Sequence, residues 1–152
     1  MKKLHLTLIT LLVLATAQAQ MITEKDLLGE WKIARMDFGG VLADFETGEV
    51  TTGENAPDNA DAEGLKAMMQ SSMSDKLKSN RVAFKPGFVF ETSEGDETHT
   101  GSYKLADDGT RQVLLLDTPE KMTIDITLKD GLLVWVLPSA QVFKMYFRKI
   151  IN

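Results

Sequence analysis

Three methionines in one short stretch carry the sulfur atoms that could bind a soft metal ion. They are Met68, Met69 and Met73. Thioether sulfur is a ligand for Cu(I). Successive residues of an α-helix point about 100° apart, so Met68 and Met69 cannot both converge equally well with Met73. Methionine side chains also fill irregular gaps between apolar surfaces, and the spacing therefore favours an apolar helix face over a metal site.

A second possible metal site is the segment Asn59-x-Asp61-x-Glu63-Gly64, which has the carboxylates of a calcium-binding loop. It lacks the aspartate that normally comes first, and Gln70 stands where a bidentate glutamate belongs. Helix capping and acidic residues in a first helical turn account for the same pattern. We therefore predict no metal here.

The sequence also lacks the residue sets that are typical of zinc enzymes and of enzymes with an activated nucleophile. His99 is the one histidine after residue 19, and the chain has no cysteine. A zinc set and a Cys–His pair are therefore excluded. Ser102 lies three residues from His99, and this spacing places the two side chains on opposite faces of a strand. We expect a protein that is not an enzyme, with no catalytic residue and no cofactor.

The first 19 residues have the features of a cleaved signal peptide. Lys2 and Lys3 precede a mostly apolar run at residues 4–14, and Ala17-Gln18-Ala19 is a small-x-small cleavage site. The apolar run is shorter than the roughly 20 residues that a membrane-spanning helix needs. We predict an exported, soluble protein, periplasmic or secreted, without stable membrane insertion.

The remaining residues, 20–152, suit a single domain. Without Lys2 and Lys3, the 17 basic residues become 15, against 22 acidic residues, which gives a net charge of −7. Such a surface repels phosphate backbones, so nucleic acid is not an expected partner. No disulfide can form, and the fold must be held by its core.

Two helical segments and one long irregular segment precede the regular strands. Residues 23–26 predict a short helical turn, and residues 39–60 predict a loop with a short strand at 41–46. Residues 61–78 have an apolar stripe at helical spacing that includes Leu65, Met69 and Met73. We predict one amphipathic helix over 61–78.

The other segments alternate with the period of β-strands. Trp31, Ile33 and Arg35 share one face of a first strand, and from Arg81 onward short strands follow one another through tight turns. Short turns make sequential strands antiparallel neighbours, and closing the sheet removes its edges. We predict a mostly β fold, an antiparallel meander barrel of about eight strands, with the helix inserted between the first and second barrel strands. Side chains can fill such a barrel, or it can hold one small ligand.

The segment Gly29-Glu30-Trp31 at the start of the first strand gives this chain its resemblance to a known family. With the meander and Arg148 near the end, it resembles the lipocalin-like (calycin) barrels, and among them small exported bacterial members. The resemblance implies that Gly29, Trp31 and Arg148 form the closed base of the barrel. In this family the tryptophan plugs the base and an arginine covers its ring.

The chain also departs from this family. The usual lipocalin helix follows the last strand, whereas here the predicted helix has the placement seen in the fatty-acid-binding branch, where it forms a lid. The Arg-x-Tyr carboxylate pair of that branch is absent, since Tyr146-x-Arg148 has the reverse order. No fatty-acid site is therefore carried over.

The resemblance and the apolar inward faces predict that the barrel binds or carries a small, largely apolar ligand. The alternative is a packed barrel that acts as a protein-interaction or inhibitor module through its loops or its acidic surface. Lid candidates are Leu65, Met69 and Met73 on the predicted helix. The candidate cavity-lining residues are Ile33, Phe84, Phe90, Tyr103, Ile124, Phe143 and Met145.

Overall fold

The computed structural model describes residues 21–53, 56, 60–72, 79–107, 109–118, 121–138 and 142–151. The predicted signal peptide lies outside these residues. No helix within the described ranges is long and apolar enough to cross a bilayer.

The described residues form two helices and ten strands. In chain order these are α1 (Glu24–Leu27), β1 (Gly29–Phe38), β2 (Val41–Asp44), β3 (Val50–Thr52), α2 (Ala60–Ser72), β4 (Arg81–Lys85), β5 (Val89–Glu94), β6 (Glu97–Asp107), β7 (Gln112–Asp117), β8 (Met122–Lys129), β9 (Leu132–Leu137) and β10 (Phe143–Lys149).

Eight of these strands, β1 and β4 to β10, close into an antiparallel barrel. Strands β4 to β10 are neighbours in sequence order, as their short connections require. Strand β1 closes the ring, since it pairs with β4 on one edge and with β10 on the other. The predicted fold class is confirmed. The barrel end where β1 begins is called the base here, and the end where β1 finishes is called the mouth.

Strand β1 shares one of its edges between two partners. Residues 29–32 pair with β4, whereas residues 35–38 pair with β2. The β2–β3 hairpin therefore leaves the barrel wall at the mouth, and α2 packs against β2 and β3. The segment predicted as mostly loop thus contains two strands. Helix α2 begins one residue before the predicted start at 61, and residues 73–78 lie outside the described residues.

A β-bulge at Ala34 separates the two halves of β1. The pairing with β10 shifts between Ile33 and Arg35, and the Ala34 carbonyl accepts a hydrogen bond from the Phe45 N–H at 2.8 Å. The extra residue reverses the alternation of all later side chains. The prediction that Arg35 shares the inner face of Ile33 is therefore wrong, because Met36 takes that face instead, opposite Met145.

Aromatic side chains fill the barrel interior above the base. The ring centroids of Phe84 and Tyr103 lie 5.0 Å apart, and those of Trp135 and Phe147 lie 4.6 Å apart. The Phe84 and Trp135 rings are 6.4 Å apart, so contacts cross from β4 to β9. These separations are typical of favourable edge-to-face and offset aromatic pairs.

The segment before β1 crosses and closes the base. Ile22 and Leu27 are buried against the barrel core. The Gln112 side chain holds this segment, since its amide donates to the Ile22 carbonyl at 2.6 Å and its oxygen accepts from the Ile22 N–H at 2.7 Å. Trp31 is only 2% exposed, and its Nε1 donates to the Leu27 carbonyl at 2.7 Å.

The cation that covers Trp31 is Lys149, not the predicted Arg148. The Lys149 Nζ lies 5.2 Å from the centroid of the Trp31 ring. Lys149 is also the direct cross-strand partner of Trp31, whereas Arg148 pairs with Lys32. Adjacent residues of a strand point to opposite faces, so Arg148 lies on the outer wall. There it forms an ion pair with Glu46.

Two glycines give a matched test of local packing. A Cβ on Gly101 would lie 2.9 Å from the Asp117 carbonyl oxygen, whereas a Cβ on Gly64, in the exposed face of α2, would meet nothing within 4 Å. We expect Gly101→Ala to lower the free energy of unfolding by about 1–3 kcal/mol, because backbone must move. Gly64→Ala should raise it by roughly 0.5–1 kcal/mol. Urea unfolding of both variants tests this, and equal effects would contradict it.

Candidate functional site

An apolar cavity of about 230 Å³ lies at the mouth of the barrel, beneath α2. All of the lining residues in the described part of the chain are apolar, and they come from β1, β2, the turn after β2, α2 and β10. They are Met36, Phe38, Ala43, Phe45, Met68, Met69 and Phe143.

The bulge in β1 determines which side chains of this strand form one wall of the cavity. Because it returns Met36 and Phe38 to the inner face, these side chains continue the apolar surface of the barrel interior to the mouth. Phe38 is paired with Phe143 across the β1–β10 ladder, and their rings meet edge to face with centroids 5.8 Å apart. On the other edge of β1, Met36 is paired with Ala43.

Helix α2 supplies the opposite wall through two consecutive methionines. Met69 is 5% exposed and packs with Val41, Ala43 and Val50 in an apolar cluster separate from the barrel core. Met68 is 48% exposed and reaches the same cavity from its rim. The flexible thioether chains suit a wall that adapts to the shape of a ligand.

Two ion pairs on the outer wall hold the turn that carries Phe45. Asp44 accepts from the Arg35 Nε at 2.9 Å. Glu46 accepts two hydrogen bonds from Arg148, at 2.8 and 3.0 Å. Phe45 lies between these two acidic residues and packs into the apolar cluster under α2. The charged groups thus fix the outside of the turn, while its aromatic side chain lines the cavity.

The carboxyl group of Asp44 makes this turn sensitive to acid. Burial alone would raise the pKa of Asp44, but hydrogen bonds from the Thr47 N–H, the Arg35 side chain and the Glu46 N–H outweigh it and lower the pKa below 3.8. A lowered folded-state pKa contributes stability that is present above pH 3.8 and is lost as the pH falls through the folded-state value.

Replacing Asp44 by asparagine should therefore reduce the loss of stability in acid. We expect Asp44→Asn to be less stable than the wild type at pH 7 and to show a flatter dependence of thermal stability on pH below about 4. Arg35→Met removes one of the same interactions and should flatten the curve in part. Thermal unfolding measured between pH 2 and pH 7 tests this, and parallel curves for the wild type and Asp44→Asn would refute it.

The structure brings only part of the predicted lining to this cavity. Among the predicted residues, Phe143 and the lid candidate Met69 line it. Ile33 and Met145 instead pack against the barrel core. The side chain of Leu65 and all of Met73 lie outside the described part of the chain.

Four other residues predicted to line a barrel cavity are not among the described lining of this one. Phe84, Phe90, Tyr103 and Ile124 are buried in the barrel core, nearer the base. The Phe84 ring contacts the rings of both Phe90 and Tyr103, so aromatic side chains occupy the interior at this level.

Five lining residues were not predicted from the sequence. Met68 belongs to the helical stripe and could have been found there. Ala43 and Phe45 lie in a segment interpreted mainly as loop. Met36 and Phe38 have the wrong alternation relative to Trp31, and only the bulge brings them inside.

The described lining of the site offers no group for acid–base or nucleophilic chemistry. None of the described lining side chains can ionise at neutral pH. His99 is mostly exposed and lies 3.8 Å from the carboxylate of Glu97, on the β5–β6 hairpin. In the described ranges, no three His, Asp or Glu side chains are placed to hold a metal ion. The arrangement can bind apolar groups by excluding water.

Two polar atoms within the barrel core have no hydrogen-bond partner among the residues that the structure describes. They are the Tyr103 hydroxyl and the Trp135 Nε1. Burial, with a smaller contribution from the charge of Glu24, raises the pKa of Tyr103 to about 12. Both groups are therefore neutral donors at physiological pH, and they lie in the core rather than in the cavity lining.

Comparisons with known proteins add no relative. No family model matches this chain, and no curated protein or solved structure matches it.

Proposed function

We propose that this protein is an exported, non-enzymatic, lipocalin-like carrier that binds a small, largely apolar molecule in the cavity beneath α2. One observation carries the proposal: in the described part of the chain, seven apolar side chains line a cavity of about 230 Å³ that is open to solvent at the barrel mouth. Burying the apolar surface of a ligand there contributes roughly 25 cal/mol per Å².

The form of the barrel supports the lipocalin-like part of the proposal. The barrel is closed, Gly29 and Trp31 lie at its base, and a cation lies over the indole ring. That cation comes from Lys149 rather than from the arginine that the resemblance implies. The helix that borders the cavity is inserted between the barrel strands β1 and β4, which is the placement of a lid in the fatty-acid-binding branch.

The dimensions of the cavity limit the ligand. Pockets for drug-sized molecules are about 300–1,000 Å³, so this cavity takes a smaller molecule or one apolar branch of a larger one. A polar group on the ligand has no partner among the described lining side chains. Such a group would face solvent at the rim near Met68, where α2 leaves the cavity accessible.

Native mass spectrometry of the purified protein tests the proposal. We expect a bound mass of one small molecule per chain that organic extraction removes. Titration of the extracted protein with an environment-sensitive apolar dye should then saturate at one site per chain. The proposal fails if there is neither a co-purified mass nor saturable dye binding.

The aromatic packing of the barrel interior favours a second candidate. Since rings fill the barrel above the base, the protein could act as an interaction or inhibitor module through its loops or its acidic surface. Binding of a protein partner would then be unaffected by a substitution that fills the cavity beneath α2.

A further inference from the structure

We infer that the ligand of the cavity beneath α2 is a small neutral aromatic compound, rather than an acyl chain or another saturated hydrocarbon. This inference rests on the proposed carrier function, because it names the chemical class of ligand that the same cavity takes. It depends on which apolar side chains line the cavity, and not only on the cavity being apolar.

The cavity wall differs in kind from the barrel core. No leucine, isoleucine or valine is among its described lining residues, although such side chains fill much of the core. Six of the seven described lining side chains carry an aromatic ring or a thioether sulfur instead. The rings belong to Phe38, Phe45 and Phe143, and the sulfurs belong to Met36, Met68 and Met69.

The phenylalanine rings favour a ligand that is itself a ring. A pair of aromatic rings with centroids about 4.5–7 Å apart is worth roughly 2- to 10-fold in affinity beyond its buried area. Phe38 and Phe143 already make such a pair, with ring planes at 78° and centroids 5.8 Å apart. Both rings and that of Phe45 are only half-buried, so ring surface remains for a ligand to cover.

The methionines favour the same class of ligand. A thioether sulfur about 5 Å from an aromatic ring makes a favourable contact that a saturated hydrocarbon does not receive. Met36 lines the cavity from β1 and Met69 lines it from α2, so thioether side chains belong to two opposite walls. An aromatic ligand between these walls therefore gains affinity from either side.

The volume and the charge of the cavity set the size and the charge of the ligand. A cavity of about 150 Å³ lined by leucine, isoleucine and phenylalanine holds one benzene molecule. The volume of about 230 Å³ here therefore takes one substituted ring or two fused rings. No described lining group can pair with a charge, so the enclosed part of the compound is neutral.

Toluene and methylcyclohexane test the inference, since they share one carbon skeleton and differ in aromaticity. Headspace gas chromatography over the purified, extracted protein gives the dissociation constant of each volatile compound. We expect toluene to bind at least about tenfold more tightly, because the ring and sulfur contacts add to one another. Methylcyclohexane is the more hydrophobic compound, so burial of apolar area alone predicts the opposite order.

Variants that remove one ring or one sulfur assign the preference to the cavity wall. Phe45→Leu and Phe143→Leu should each lower the ratio of the two affinities by roughly 2- to 10-fold, whereas lost apolar area affects both compounds and cancels in the ratio. Met69→Leu keeps the volume and should lower the ratio about twofold, which serves if a phenylalanine variant does not fold. Phe88→Leu is the matched control, because Phe88 is 44% exposed and does not line the cavity.

Three results would overturn the aromatic class: methylcyclohexane binding as tightly as toluene, an unchanged ratio in the cavity variants, or an equal fall of the ratio in Phe88→Leu. Equal binding of the two compounds leaves the carrier proposal intact. Failure of toluene to bind at all also overturns the aromatic class, and the dye titration then decides the carrier proposal separately.

Discussion

Trp31→Ala should lower the free energy of unfolding by about 3–5 kcal/mol, the usual cost of removing a buried aromatic side chain from a core. Trp31 is 2% exposed, and its ring lies between the base segment and Lys149. Its removal leaves a cavity at the base and takes the indole donor from the Leu27 carbonyl. Urea unfolding followed by the fluorescence of Trp135, the other tryptophan, measures the loss.

Two further variants separate the contributions of the hydrogen bond and of the lysine charge to the stability lost in Trp31→Ala. Trp31→Phe keeps a ring at the base but removes the hydrogen bond to Leu27, and should cost roughly 1–3 kcal/mol. Lys149→Met keeps the aliphatic part of the lysine and removes the charge over the ring, and should cost about 1 kcal/mol or less. A loss below 1 kcal/mol for Trp31→Ala would show that Trp31 does not close the barrel.

Ala43→Leu should weaken binding of the proposed apolar ligand by at least about tenfold while the protein stays folded. Ala43 is 1% exposed and lines the cavity, so a leucine there occupies the volume that the ligand needs. Displacing the equivalent of two buried methylenes costs about 1.6 kcal/mol, which exceeds the 1.4 kcal/mol that makes affinity tenfold weaker. Filling a cavity commonly adds about 0.5–2 kcal/mol of stability, so the melting temperature should hold or rise.

Ala83→Leu is the matched control for this variant. Ala83 lies on β4, pairs with Glu30 and Glu91, and does not line the cavity. Isothermal titration with the apolar dye should show wild-type affinity for Ala83→Leu and greatly reduced affinity for Ala43→Leu. Equal affinities in the two variants would place the ligand elsewhere.

Much of the fold follows from local patterns in the sequence. After Arg81, short turns join segments whose apolar residues alternate with a period of two. This pattern predicts an antiparallel meander, and the structure has that arrangement. The position of Lys149 over Trp31 could also have been predicted from the sequence. Phe143, Met145 and Phe147 alternate on the inner face, and the next residue of that series is Lys149, not Arg148.

The cavity could not be predicted in the same way. It depends on one inserted residue, Ala34, which reverses the alternation of β1 halfway along. A bulge has no distinct residue type here, and continued alternation would place Arg35 inside and Met36 outside. The β2–β3 hairpin could not be predicted from the sequence either, because its short strands lie among the glycines and acidic residues of a loop-like segment.

The division of β1 between β4 and β2 has a consequence for how the molecule opens. The apolar cluster formed by Val41, Ala43, Val50 and Met69 is separate from the barrel core, so the hairpin and α2 can detach as a cooperative unit of their own. Their amide hydrogens should exchange with deuterium faster than those of β7 to β9. Ligand binding should slow exchange in the hairpin and α2 first, because the barrel can remain closed while its mouth opens and reseals.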